Sequence, residues 1–278
     1  MKQIFVSGGG QIEIFDVPVP GRLRNSVLVR NAFSAISSGT EGASVSSKSG
    51  LLGIYEKARS SKDAVDKVWN LIQTKGPVMA FEAVQRKLSD YSLMGYSSAG
   101  TVMEVDNQSV PFKPGDRVAC MGAGLANHAE YAAVPRNLVA RVPVGVPLEE
   151  AAFGALACIA LQGIRRLELT PGERIGVLGL GLIGQICVRI ANALGYKTFG
   201  IDLSKKRAEM AAAIDGITAW SSATEDSLGK VLQLTAGRGL DGVVVCAATS
   251  RYEPINLSFD LCRKICKGQY RKDARRLE

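Results

Sequence analysis

Apolar and polar positions along the chain follow two different rhythms. Residues 2 to 45 carry short apolar runs between turn residues. Ile4-Phe5-Val6 precedes Ser7-Gly8-Gly9-Gly10, Ile12 to Val17 leads into Pro18 and Pro20, and Ser26 to Ala32 predicts another strand. The small polar stretch Ala35-Ile36-Ser37-Ser38-Gly39-Thr40-Glu41-Gly42 predicts a loop of the kind that lines a site. Residues 46 to 90 break the β rhythm. Val65, Val68, Trp69 and Ile72, then Phe81, Val84 and Leu88, recur at helical spacing with charges between them, so amphipathic helices are expected, with Gly76-Pro77 as a breaker. Strands return from Tyr91, through Gly95 to Val105, Arg117 to Cys120 and His128 to Val134, punctuated by Pro114-Gly115-Asp116 and Gly122-Ala123-Gly124. Pro143 to Pro147 reads as a domain junction. A single helix over roughly Leu148 to Leu167, apolar on most faces, is expected to follow and to be buried.

Beyond that helix, strands and helices alternate. Ile175–Leu178, Thr198–Ile201, Ile217–Trp220 and Val243–Ala247 are apolar strands. Helices are expected from Ile183 to Leu194, from Lys205 to Ala213 with Ser204 as cap, from Thr224 to Thr235, and from Glu253-Pro254 to about Arg263. Such alternation predicts an α/β fold with a parallel sheet and right-handed crossovers. A fifth apolar strand should come next, but from Lys264 onward the sequence is too charged for one. The sheet is therefore expected to lack its last two strands, with residues 264–278 a basic, disordered tail.

The first turn of this alternating half carries chemistry. Gly179, Gly181 and Gly184 stand at G-x-G-x-x-G spacing between a strand and a helix, with Leu180, Leu182 and Ile183 at the intervening positions. Gly179 permits the tight turn, Gly181 lets the backbone approach a diphosphate, and Gly184 lets helix and strand pack closely. The helix N-terminus offers N–H groups and partial positive charge to phosphates. Asp202 ends the second strand, where an acid accepts a ribose 2′-hydroxyl. Leu203 and Lys206 follow it, and Ala247 and Ala248 close the fourth strand, so these residues complete the expected cofactor contacts. Asp202 favours NAD because its charge repels a 2′-phosphate, while Lys205, Lys206 and Arg207 leave NADP open.

Composition narrows the remaining classes. With 278 residues, 46% hydrophobic and 22% charged, the chain is expected to form about two soluble domains. The first 20 residues do not read as a signal peptide, and no apolar run reaches the roughly 18 residues of a membrane span. The six cysteines are scattered without C-x-x-C, and four sit in apolar patterns as buried thiols, which suits a reducing cytoplasm. Of the net charge of +8, the stretch from Arg263 to Glu278 supplies +5. Without aromatic interleaving or a recognised motif, that tail does not point to nucleic acid.

In combination the motifs resemble the medium-chain dehydrogenase/reductase family, in which a GroES-like β domain precedes a Rossmann domain. The matching stretches are Ile36–Glu41, Gly95-Tyr96-Ser97-Ser98-Ala99-Gly100, Pro114–Val118, Ala129-Glu130-Tyr131, Thr170–Glu173, the glycine motif and Thr235–Asp241. The branch most similar is the threonine-dehydrogenase-like half of bacterial bi-domain oxidoreductases, related to bacteriochlorophyllide dehydrogenases. The resemblance implies a GroES-like catalytic domain over 1–147 with a helical insertion at about 46–90, and an incomplete Rossmann domain over 148–263. It also implies hydride transfer between NAD(P)(H) and an alcohol or carbonyl of a small, sugar-like substrate, in a family whose members are usually homodimers.

The departures from the family pattern alter the chemistry. Zinc-dependent members need thiolate, imidazole and a third thiolate or carboxylate. Aligned on the motifs, those positions hold Ser38, Tyr96 and Ala155, so no zinc is expected. Tyr96 becomes the candidate proton donor, Thr40 matches the hydroxyl that relays protons in zinc members, and Glu41 is the adjacent acid. His128, the only histidine, reads as structural. Two other readings stay open: a non-catalytic nucleotide-binding fragment of a bi-domain oxidoreductase, and a zinc-dependent alcohol or threonine dehydrogenase.

Overall fold

The first half forms two antiparallel sheets, and the larger of them buries a valine-rich face. The structure, a computed structural model, describes all residues except 8–9, 22–23, 38, 40, 43–90, 107–110, 250–251 and 264–278. The insertion expected at 46–90, the loop residues Ser38 and Thr40 and the tail from 264 therefore lie outside the described residues. The chain divides into two compact units, Met1–Ala155 and Leu156–Glu278.

In the first unit, β1 (Lys2–Ser7) pairs antiparallel with β2 (Ile12–Asp16). β3 (Ser26–Ser34) belongs to a second sheet, while β4 (Tyr91–Leu93) returns to the other edge of β1. The second sheet adds β5 (Ser97–Val105), β6 (Arg117–Met121), β7 (Tyr131–Pro135) and β8 (Val139–Arg141), in the order β7-β3-β5-β6-β8. β-branched side chains fit this pleated, half-buried surface. Val27, Val29, Val102, Val118 and Val134 form its core, joined by Cys120 and Ala132.

His128 falls outside the strand that its neighbours predict. Its N–H donates to the Met94 carbonyl (2.8 Å) and its carbonyl accepts from Ile4 (2.9 Å), so its backbone bridges two segments before β7 begins. The helix expected over 148–167 is also divided, into α1 (Leu148–Ala151) and α2 (Gly154–Arg166). The reason is Ser97. Its buried hydroxyl donates to the Ala152 carbonyl (2.5 Å) and accepts from the Ala155 N–H (3.2 Å), taking backbone groups a continuous helix would pair internally. Nor is α2 buried on all sides, since Cys158 and Ile159 are exposed.

The second unit is an α/β layer built on a parallel sheet. β9 (Arg174–Leu178) lies between β10 (Lys197–Asp202) and β12 (Gly242–Val245), with β11 (Ile217–Ser221) outside β10, giving β11-β10-β9-β12. Between them run α3 (Leu182–Ala193), α4 (Lys205–Ala212) and α5 (Ser227–Leu234), and α6 (Glu253–Leu261) follows β12. One core cluster joins β9 to α3 through Ile175, Val177, Leu180, Cys187 and Val188; another joins Phe199, Trp220, Val231, Leu240 and Leu261. α5 starts later than its apolar pattern suggests, because the Asp226 carboxylate caps it by accepting from Leu228 and Gly229 (both 3.1 Å). Ser204 stands at the N-cap of α4 without a side-chain bond. After α6, Leu240 and Cys262 form an isolated parallel bridge. Leu240 donates to the Leu261 carbonyl and Arg263 to the Leu240 carbonyl, each at 2.8 Å.

Candidate active site

The three glycines occupy three distinct environments, and each matches a different physical demand. Gly179 has φ +91°, and a Cβ there would lie 2.6 Å from the Ala247 nitrogen. Only glycine combines that left-handed backbone with so close an approach. A Cβ at Gly184 would lie 1.9 Å from the Gly179 carbonyl oxygen, so α3 and the turn pack backbone against backbone. A Cβ at Gly181 would meet nothing within 4 Å. The turn is therefore closed on its protein side and open at the one glycine required to face a diphosphate.

Gly181 is also the N-cap of α3 and contributes no side-chain cap. The positive end of the helix dipole thus faces that open side. Leu180 enters the site through its backbone alone. Its side chain is fully buried, and a Cβ at Gly200 would lie 3.1 Å from it. Ile183 packs on the core beneath α3, while Leu182 is half-buried.

Asp202 is buried at the end of β10. Its Oδ2 accepts the Leu180 N–H (2.6 Å) and its Oδ1 the Ser204 N–H (2.7 Å). Two bonds leave acceptor capacity on a carboxylate, which offers about four lone-pair directions. Asp202 therefore braces the glycine turn and can still receive a hydroxyl. The cation beside it is Arg207, whose Nη1 lies 3.9 Å from Oδ2. Lys205 instead pairs with Glu209 along α4, and Lys206 is exposed. Leu203 is 76% exposed next to Asp202, an apolar surface at the strand end. Ala247 and the exposed Ala248 follow β12, with Ala247 against Gly179.

In the first unit the candidate loop is fastened from within. Glu41 and His128 are both buried, with Glu41 Oε1 at 3.1 Å from His128 Nε2. Glu41 Oε2 accepts the Ser37 N–H (2.7 Å), and His128 Nδ1 lies 2.8 Å from Ser34 Oγ. Both carboxylate oxygens and both ring nitrogens are engaged, so Glu41 ties Ser37 to His128. The single imidazole was legible only as structural; its partner was not, because 87 residues separate Glu41 from His128. Tyr96 follows Gly95, where a Cβ would lie 3.0 Å from His128 Cγ. Tyr96 is half-buried, and its hydroxyl has no hydrogen-bond partner among the described residues.

Two of the three positions aligned with the family's zinc ligands are described, and Ser38 lies outside the described residues. Tyr96 is a phenol, Ala155 is a buried methyl whose N–H serves Ser97, and both His128 nitrogens are engaged. Among the described residues no group of three or more His, Cys, Asp or Glu could hold a metal ion. Burial pushes the Cys120 thiol up to about 12, so it stays protonated. No helix among the described residues is long and apolar enough to cross a membrane.

No protein-family model matches the chain. A probable D-xylulose reductase A of Aspergillus terreus is 26% identical over 152 residues, covering 45% of this chain and 43% of that protein. The (R,R)-butanediol dehydrogenase of Bacillus subtilis is 25% identical over 172 residues, covering 53% and 49%. The chain thus spans about half the length of the curated relatives it matches. Among solved structures, the alcohol dehydrogenase TADH from Thermus sp. ATN1 superposes with a TM-score of 0.68 at 20% identity, covering 95% of this chain and 74% of that one. These relatives and neighbours are zinc-type alcohol dehydrogenase-like medium-chain dehydrogenases/reductases, and the fold is theirs: a GroES-like unit followed by a Rossmann unit.

Proposed function

We propose that this chain, with the fold of the medium-chain dehydrogenases/reductases, is an NAD(P)-dependent oxidoreductase acting on an alcohol or carbonyl without zinc. The observation that carries the reading is the glycine turn, closed at Gly179 and Gly184, open at Gly181 and braced by Asp202. The Gly179–Gly184 backbone and the α3 N-terminus would hold the diphosphate, Asp202 a ribose hydroxyl, and Ala247 and Ala248 the adjoining wall. When bound, the nicotinamide supplies or accepts the hydride. Asp202 favours NAD over NADP, with Arg207 the residue that would accommodate a 2′-phosphate. The donor chemistry at Tyr96 and Ala155 supports zinc independence, and metal analysis of the purified protein should give well below one zinc per chain. Relatives named for butanediol and xylulose support a polyol or its ketone as substrate.

Tyr96 is the proposed proton donor to the carbonyl oxygen. Ser38, Thr40 and Glu41 are the further candidates, and among them Glu41 is held by His128 and Ser37. The Tyr96→Phe protein should lose about 100-fold in turnover with its Kd for NADH unchanged; equal turnover would remove Tyr96 from the reaction. Titration with NADH and with NADPH, followed by fluorescence, tests the cofactor itself, and the absence of a saturable signal with either contradicts the proposal. A second reading, nucleotide binding without turnover, draws on the full engagement of Glu41 and His128. Saturable NADH binding with no oxidation or reduction of any polyol or ketone would favour it.

A further inference from the structure

Ser97 joins two segments that lie far apart in the sequence. It follows Tyr96 directly, and its hydroxyl donates to the Ala152 carbonyl (2.5 Å) while accepting the Ala155 N–H (3.2 Å). Tyr96 and Ala155 are both positions aligned with the family's zinc ligands, so one serine ties the chain beside the first to the second. Ser97, Ala152 and Ala155 are all buried. A hydroxyl that donates and accepts at once has its rotor fixed, and away from water both bonds are strengthened. The backbone around Ser97 is engaged as well. Its carbonyl accepts the Ala35 N–H (2.9 Å), the Tyr96 carbonyl accepts the Gly122 N–H (2.9 Å), and the Met94 carbonyl accepts the His128 N–H (2.8 Å). The Tyr96 phenol, by contrast, has no hydrogen-bond partner among the described residues, so its place is set through this backbone.

We propose that Ser97 is a positioning residue: by fastening the start of β5 to the break between α1 and α2, its hydroxyl fixes where the Tyr96 phenol stands. The consequence for turnover rests on the reading of Tyr96 as proton donor; the placement of the ring does not. Without the hydroxyl, the Ala152 carbonyl and the Ala155 N–H must pair within the helix or stay unpaired. Pairing within the helix closes the break and withdraws it from β5. Leaving the groups unpaired removes the tie altogether. Either way the backbone at residue 97 gains freedom, and Tyr96 is its immediate neighbour. Proton transfer tolerates little of this, because donor and acceptor must come within about 2.6–3.2 Å. A misplacement of about 1 Å is enough to cost about 100-fold in rate.

The test uses the full chain, isotope-labelled at the tyrosine Cζ and followed by NMR, with Tyr96→Phe protein identifying the Tyr96 signal. Ser97→Ala should move or broaden that signal and leave those of Tyr131 and Tyr196 in place. It should also lower kcat by about tenfold or more at unchanged Kd for NADH, with butanediol oxidation and xylulose reduction as the probes. Ser97→Thr keeps the hydroxyl and should restore both signal and turnover. If Ser97→Ala folds poorly, Ser97→Cys, with nearly the same shape and a weaker donor, takes its place and should behave alike. Val134→Ala, a cavity in the same sheet, should leave the Tyr96 signal unmoved. An unmoved Tyr96 signal in the Ser97→Ala protein overturns the proposal, and so does an equal displacement in Val134→Ala. A moved signal with undiminished kcat overturns the effect on the reaction. Wild type inactive on both probes, or a fully active Tyr96→Phe protein, counts against the proton-donor reading alone, because the Tyr96 signal still decides whether Ser97 places the ring.

Discussion

Asp202 does two jobs with one carboxylate, and that explains why the residue must be an acid. Its Oδ2 secures the Leu180 N–H inside the turn, and its Oδ1 secures Ser204 at the start of the next helix. Replacing it by Asn removes the charge that opposes a 2′-phosphate and frees Arg207, 3.9 Å away in the wild type. Asp202→Asn should therefore shift the ratio of NADH to NADPH affinity by about tenfold toward NADPH and cost about 1–3 kcal/mol of stability through the weakened buried hydrogen bonds. An unchanged affinity ratio would show that the carboxylate does not face the ribose. The place of Asp202 at the end of an apolar strand was legible in the sequence, and its bonds to Leu180 and Ser204 were not. Nor was the assignment of the cation: three basic residues follow in sequence, and only the rotation of α4 selects Arg207 over Lys205 and Lys206.

At the scale of elements, apolar rhythm locates strands and helices well where the chain itself satisfies the backbone. β9, β10 and β11 fall where apolar runs place them, and so does α3 after its glycines, while β12 ends at Val245 and leaves Ala247 and Ala248 beyond the strand. Rhythm fails where a distant side chain takes backbone groups. Ser97 divides the long helix at Ala152 and Ala155, a contact that no local pattern announces. Ser97→Ala should cost about 1–3 kcal/mol in urea unfolding at unchanged m-value; a loss below experimental error would show that the break has another cause. The Pro114-Gly115-Asp116 turn gives a pH-dependent counterpart. The Lys113 backbone N–H, then burial against it and the Arg141 guanidinium with it, leave the Asp116 carboxyl below its ordinary value. A carboxyl lowered on folding contributes stability that is present above its unfolded value, about 3.9, and is lost as pH falls through the folded one. The stability difference between wild type and Asp116→Asn should thus hold from neutral pH to about pH 4 and narrow below it. A difference already gone at pH 6 would contradict that assignment.

For the molecule as a whole, the functional reading rests on one feature of the second unit: a backbone cradle sealed on one side and open on the other. The GroES-like unit adds a loop fastened by Glu41, His128 and Ser34, with Tyr96 on the neighbouring segment. The sequence motifs announced both pieces, but the clamp on the loop spans residues too far apart to be read in advance. The most direct test compares NADH titration and thermal melting for wild type, Gly181→Val and Gly184→Ala. At Gly181 a Cβ would meet nothing within 4 Å, so its variant should lose only about 1 kcal/mol yet bind NADH at least about tenfold more weakly. At Gly184 a Cβ would strike the Gly179 carbonyl at 1.9 Å, so that variant should lose about 1–3 kcal/mol and melt earlier. Gly181→Val protein that binds NADH as tightly as the wild type would contradict the account, because the open side of the turn would then not be where the diphosphate lies.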